Sequence, residues 1–133
     1  MGLARRNPRN EAEFDHQCAL FKWARMPSMQ KQYPGLDLLC ASLNGIHMTP
    51  SQAWKASQSG MLSGEHDVCL RVARGGYHGL SIELKAGKNK ATARQLWYGD
   101  RLTEEGWLVG YCWHWTAAAD LIMAYLSGRM TRI

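Results

Sequence analysis

The chain has 133 residues, enough for one compact domain with a buried core and too few for two ordinary domains. Lys and Arg number 16 against 11 Asp and Glu, and the formal charge of +5 favours polyanionic partners such as nucleic acid, unless it serves only solubility. No apolar segment could span a bilayer and no secretory signal follows Met1, so we expect a cytoplasmic protein without a membrane partner. The 4 cysteines and 5 histidines lack the spacing of zinc ligands, which predicts reduced, mostly structural thiols.

The first predicted elements are a long helix and a short strand. Apolar residues recur at helical spacing over 10–32, and Asn10 followed by Glu13 resembles a capping box. A short apolar run at 38–42 follows a proline-glycine pair and precedes Asn44-Gly45. This pattern is typical of a strand that enters a turn.

The second predicted helix has well-marked ends. Thr49 supplies an N-cap, Pro50 occupies the first helical position and Gln52 completes a capping box. The helix is expected to end near Gly60.

Two strands and a hairpin follow. Residues 67–73 and 79–84 have the composition of strands, and Arg74-Gly75-Gly76-Tyr77 between them indicates a tight connection. We therefore expect the two strands to lie side by side.

The C-terminal third predicts a helix, a strand and a last helix. Thr92 and Gln95 indicate a capping box at the start of a helix that runs to residue 105. An apolar run at 107–113 predicts another strand, and Thr116 is expected to cap a final helix to about residue 127. The element order indicates one α/β domain over 1–133, with loose tails at 1–9 and 128–133.

Two carboxylates and a lysine fall within segments that otherwise look like buried strands. Because side chains alternate along a strand, Glu83 and Lys85 share one face while Ile82 and Leu84 point to the other. If the hairpin pairs the two strands, Asp67 approaches Glu83 across the ladder. Like charges this close need a cation between them, and such a site suits magnesium or manganese. The alternative is an exposed strand on which Glu83 and Lys85 form a solvated ion pair of little energy.

Basic residues follow this triplet directly. Lys88, Lys90 and Arg94 lie on the loop and first helical turn beyond Lys85, where a helix N-terminus adds to phosphate affinity. Beside a scissile phosphate, Lys85 can orient the attacking water and offset developing charge, which suggests metal-assisted phosphodiester hydrolysis. The alternatives are a solvated loop, and a Gln95 that only closes the capping box of its helix.

Together these motifs resemble the PD-(D/E)xK nuclease superfamily and, within it, the VRR-NUC (virus-type replication-repair nuclease) family. The family pattern is matched in order along nearly the whole chain by Glu13, Asn44-Gly45, Lys55 with Gly60 and Gly64, Asp67, the hairpin at 75–79, Glu83-Leu84-Lys85 and Gln95. The resemblance implies a restriction-endonuclease-like core in which a central mixed β-sheet is flanked by helices.

The resemblance also implies the parts of the site. Asp67 and Glu83 would bind a divalent metal, Mg²⁺ or Mn²⁺, with the main-chain carbonyl of Leu84. Glu13 would reach in from the first helix, unless it only closes the helix cap, and Lys85 would assist the attacking water. The residues expected to contact nucleic acid are Lys55, Lys88, Lys90, Arg94 and Gln95.

One departure from the family pattern lies beside the expected metal. Relatives usually have Pro or Ser before the metal-binding Asp, and this chain has Glu65-His66 before Asp67. The extra carboxylate and imidazole are expected either to join the outer shell of the metal or to alter the angle at which the strand enters the sheet.

The function implied by the resemblance is a divalent-metal-dependent endonuclease for branched or structured DNA. Stand-alone members resemble phage or viral enzymes of the host cytoplasm, and similar dimeric ones act on four-way (Holliday) junctions, where a homodimer presents two sites to two strands. Trp107, Trp113 and Trp115 offer area for such an interface, although core packing explains them equally well. The alternatives are a non-catalytic module that binds structured DNA, and an exonuclease or duplex nuclease on the same fold.

Overall fold

The computed structural model describes residues 8–42 and 47–133. Within these two ranges, five helices and four strands form one mixed α/β domain, and a short 3-10 turn precedes the first strand. The helices are α1 (Pro8–Ala24), α2 (Pro27–Gln32), α3 (Pro50–Gln58), α4 (Ala93–Glu104) and α5 (Trp115–Leu126), and the strands are β1 (Cys40–Ala41), β2 (Val68–Leu70), β3 (Leu80–Leu84) and β4 (Leu108–Cys112).

The four strands form one mixed sheet in the order β1-β2-β3-β4. β1 and β2 pair antiparallel, β2 and β3 pair antiparallel through the glycine turn, and β3 and β4 pair parallel. The parallel pair is joined by α4, as parallel strands require a crossover. The predicted mixed sheet flanked by helices is confirmed.

The two faces of the sheet have different tasks. Ile82 and Leu84 are fully buried and belong to one apolar cluster with Leu20 of α1 and Ile122 of α5. α4 covers the other face, where Gly99 allows close approach, because a Cβ at this position would lie 2.2 Å from the Tyr111 hydroxyl of β4. One face therefore supplies the core, and the other carries polar side chains under α4.

Several predicted boundaries are corrected. The first helix does not continue to residue 32, because Pro27 lacks an N–H and the preceding Met26 adopts an extended conformation that separates α1 from α2. Asn10 lies inside α1, so it does not cap the helix. The N-cap of α5 is His114 rather than Thr116, whose backbone N–H donates to the His114 ring.

Other expectations about the chain ends and turns have mixed outcomes. The capping boxes of α3 and α4 both form as predicted. The predicted loose tail at 128–133 is held at Arg132, whose backbone N–H donates to the Gly75 carbonyl at 2.8 Å. The Asn44-Gly45 turn lies outside the described residues. Within the described ranges, no helix combines the length and apolar character needed to cross a bilayer.

The Tyr125 hydroxyl ties the last helix to the sheet. Tyr125 is fully buried and donates to the Val72 carbonyl at 2.5 Å. Tyr125→Phe leaves that buried carbonyl without its donor, so we expect the free energy of unfolding to fall by about 1–3 kcal/mol in urea denaturation. Ser59→Ala removes a hydroxyl-to-carbonyl bond that is exposed, and it serves as the control with a change of about 0.5 kcal/mol or less. Equal effects of the two substitutions would contradict this account.

Candidate active site

The two predicted carboxylates meet across the β2–β3 pair. Val68 opposes Ile82 in the register, which makes Asp67 and Glu83 the next partners along the ladder. The Asp67 backbone N–H donates to Glu83 Oε2 at 3.2 Å, and the Leu84 N–H donates to Asp67 Oδ2 at 2.8 Å. Each carboxylate is thus held by the backbone of the strand that carries the other.

Lys85 lies beside this pair on the same face, as strand alternation predicts. Its Nζ is 3.7 Å from Glu83 Oε1, and Glu83 and Lys85 are only 2% and 5% exposed. The alternative of a solvated surface ion pair is therefore wrong. Buried charges of this kind require compensation from neighbouring groups.

Burial shifts the proton affinity of both carboxylates. Desolvation, followed by the charge of Asp67, raises the pKa of Glu83 to about 9, against the opposing charge of Lys85. Burial also raises the pKa of Asp67, while the hydrogen bond from the Leu84 N–H opposes the shift. The pair therefore retains a proton near neutral pH when no cation is bound.

Gln95 performs both of the roles between which the sequence could not decide. Its Oε1 accepts from the Thr92 backbone N–H at 2.9 Å and closes the capping box of α4. Its Nε2 donates to Glu83 Oε1 at 2.8 Å. One amide side chain thus fixes the start of α4 and a carboxylate of the site.

His66 supports this arrangement through the backbone of Gln95. It is 2% exposed, with Nε2 2.9 Å from the Gln95 carbonyl and Nδ1 2.9 Å from Ser81 Oγ. A carbonyl only accepts, so Nε2 carries the proton and the neutral ring accepts from Ser81 through Nδ1. Desolvation lowers the pKa of His66 and favours this neutral form. His66 thus reaches Glu83 only through Gln95, and a role for it in the outer shell of a metal stays a prediction.

Glu13 is held by Asn89 of the loop after β3, near enough for its charge to act on Asp67. The Asn89 amide donates to Glu13 Oε1 at 2.9 Å, and the charge of Glu13 contributes to the raised pKa of Asp67. Glu13 does not close a compact ligand cluster, however, since no three His, Cys, Asp or Glu side chains within 8–42 and 47–133 are placed to hold one metal ion.

The oxygen donors present still fit a hard divalent cation. Two carboxylates lie next to each other, and burial together with the charge of Asp67 raises the pKa of Glu83 despite the opposing charge of Lys85. Each hydrogen-bonded carboxylate oxygen keeps a second lone pair for a cation. Mg²⁺ characteristically takes one or two carboxylates and keeps several waters, so a two-carboxylate site matches its preference.

The predicted DNA-contacting residues are spread over three elements. Lys88 and Lys90 are exposed on the loop after β3, and Lys55 is exposed on α3. Arg94 is exposed on α4, where its guanidinium lies 4.2 Å from the Trp97 ring centroid and donates to the Ser63 carbonyl. Gln95 contacts Glu83 itself, so it belongs to the site more than to the surface.

Sequence reasoning missed three contributors. Ser81 could have been found, because alternation places it two residues before Glu83 on the same face. Asn89 has no such signal, since its partner Glu13 is 76 residues away in the chain. Trp113 was named only as interface area, and its indole N–H donates to the Asn89 carbonyl at 2.7 Å.

A comparison with solved structures shows a likeness over nearly the whole chain. A solved structure described as a "VRR_NUC domain protein" superimposes with a TM-score of 0.68 at 26% sequence identity, over 96% of this chain and 92% of that chain. No protein-family model matches the sequence, and no curated protein matches it.

The two capping boxes permit a matched test of Gln95. Gln95→Glu keeps an oxygen that can accept from the Thr92 N–H, but it replaces the amide that donates to Glu83 with a carboxylate. Gln52→Glu makes the same change in the capping box of α3, whose described contacts involve no carboxylate, and it serves as the control. At pH 8 we expect Gln95→Glu to lower the free energy of unfolding by about 1–3 kcal/mol, because buried Glu83 loses a hydrogen-bond donor and a further carboxylate enters a site where burial penalises negative charge. Gln52→Glu should change it by about 0.5 kcal/mol or less. Urea denaturation measures the free energy of unfolding of both variants. Equal decreases would contradict the contribution of the Gln95 contact with Glu83.

Proposed function

We propose that this member of the VRR-NUC family is a divalent-metal-dependent DNA endonuclease that hydrolyses phosphodiester bonds. The observation that carries the proposal is buried Glu83, which contacts half-buried Asp67 on one side and buried Lys85 on the other and is held by Gln95. A group of like charges in the interior is costly for stability alone, and such groups are typical of catalytic sites.

Asp67 and Glu83 would hold Mg²⁺ or Mn²⁺ together with the Leu84 main-chain carbonyl. Glu13, held through Asn89, is the further carboxylate that would approach from α1. A cation bound there would lower the pKa of a water molecule and neutralise charge on the phosphate.

Lys85 would act on the phosphate and the attacking water. Its ammonium has three N–H donors, and the contact with Glu83 at 3.7 Å uses at most one direction. The others can face a phosphate oxygen, where positive charge is worth most as negative charge develops in the transition state. Low exposure of Lys85 favours this role, because water screens its charge less than at the surface.

Branched or otherwise structured DNA is the proposed substrate, with a homodimeric four-way (Holliday) junction resolvase as its most specific form. Exposed Lys88 and Lys90 beside the site support binding of the DNA backbone, and Lys55 and Arg94 extend the positive surface. A symmetric dimer would present two sites to two strands.

Cleavage assays test the proposal directly. Four-way junction, flap and linear duplex DNA are incubated with Mg²⁺ or Mn²⁺ and with EDTA. We expect cutting only with metal, and a loss of about 100-fold or more for Asp67→Ala and Lys85→Ala. Lys31→Ala, which removes an exposed charge from α2, should retain activity. Cutting without metal, or full activity of the Asp67 and Lys85 variants, would refute the proposal. Binding of DNA without cutting would favour a non-catalytic module. Cutting only from DNA ends would indicate an exonuclease.

Metal binding should also displace a proton. Because the pKa of Glu83 is about 9, the metal-free site is protonated at pH 7, so metal affinity is expected to rise with pH, by up to about tenfold per unit, until the pH passes that value. Calorimetric titration with Mn²⁺ at pH 7, in buffers of different ionisation enthalpy, should report release of about one proton. Glu83→Gln serves as the control and should remove both the release and the pH dependence. Binding without proton release would contradict the assignment of Glu83.

A further inference from the structure

Trp113 lies next to Lys85 at the end of the sheet. Leu84 of β3 pairs with Cys112 of β4, and the Lys85 N–H continues the ladder by donating to the Cys112 carbonyl at 2.8 Å. Trp113 is therefore the lateral neighbour of Lys85, one residue beyond each strand end. Alternation puts both on the face that carries Glu83.

The indole of Trp113 is both anchored and accessible. Its N–H donates to the Asn89 carbonyl at 2.7 Å, and the Asn89 amide reaches Glu13 at 2.9 Å. The residue nevertheless remains 44% exposed. A tryptophan that served only the core would be buried, as Trp115 partly is against the apolar cluster.

The other exposed tryptophans lack this combination. Trp97 is 43% exposed, but one face of its ring is occupied by the Arg94 guanidinium, 4.2 Å from the ring centroid. Trp54 is 64% exposed but lies on α3, away from the ends of β3 and β4 in the chain. Among these three tryptophans, Trp113 is the one that is both exposed and the neighbour of Lys85 on the adjacent strand.

Cations flank the residue that anchors this ring. Lys88 and Lys90 are exposed on either side of Asn89, the residue that anchors the indole. Aromatic side chains that stack on bases, combined with lysines that follow the phosphates, are how proteins bind single-stranded nucleic acid. In a continuous duplex the bases are already stacked, so a protein ring gains a base face only where a nucleotide is unpaired.

We propose that Trp113 stacks on an unpaired base beside the phosphate that is cut, which makes an unpaired nucleotide at the cleavage position part of substrate recognition. This inference rests on the proposed nuclease function and narrows its substrate to DNA with a locally opened strand. Lys88 and Lys90 hold the phosphates on either side of that base, and Asn89 fixes the ring that receives it.

The test distinguishes the contribution of the bases to binding from that of the phosphates. Binding of a fluorescent oligothymidylate is compared with that of an oligonucleotide of the same length and charge made of abasic residues, in EDTA so that nothing is cut. Wild-type protein should bind the base-bearing strand about 5- to 100-fold more tightly. Trp113→Leu should lose this preference, Trp113→Phe should keep most of it, and Trp54→Leu, the matched control, should keep all of it.

Each outcome has a defined meaning. Equal binding of the two strands by wild-type protein overturns the proposal whether or not the variants fold, and so does an unchanged preference in Trp113→Leu. Metal-dependent cutting of DNA without base preference would overturn this inference and leave the nuclease function intact. Base preference without cutting under either metal would overturn the nuclease function and leave the stacking role intact.

Discussion

The contact between Asp67 and Glu83 sets the conditions for the rest of the structure. Two acids that face each other across an antiparallel pair repel, and burial removes the water that would weaken the repulsion. The surrounding groups answer this directly: the Leu84 and Asp67 backbone N–H groups each bind the opposite carboxylate, and the Gln95 amide and Lys85 bind Glu83. These contacts do not fully offset the burial and the repulsion, so the pKa of Glu83 is still raised to about 9 and its side chain keeps a proton near neutral pH. A bound cation can take the place of that proton.

The sheet makes this possible by separating stability from chemistry. The face with Ile82 and Leu84 packs against α1 and α5 in one apolar cluster, which holds the strands regardless of the charges on the other side. The opposite face meets α4 at Gly99, and the polar layer between them includes His66, Ser81 and Gln95. His66 contributes by holding the backbone of Gln95, so it acts on Glu83 through another residue.

Short-range patterns predicted much of this arrangement, and longer-range contacts were beyond them. Alternation along β3 placed Glu83 and Lys85 together, and the glycine turn set Asp67 opposite Glu83, because both follow from strand geometry alone. The break at Pro27 was readable in the sequence but was outweighed by the apolar periodicity around it. The contacts of His66 and the hydrogen bond between Glu13 and Asn89 depend on which elements meet in space. Spacing along the chain does not predict such contacts.

The double attachment of Gln95 joins the first turn of α4 to the geometry of the carboxylates. Helix ends open more readily than helix centres, and such local opening occurs far below the temperature at which a domain unfolds. Once the first turn of α4 frays, Glu83 loses its amide partner while the apolar cluster on the other face is still intact. Heating should therefore disorganise the site before it melts the protein, so the temperature at which the arrangement around Glu83 is lost lies below the melting temperature of the domain.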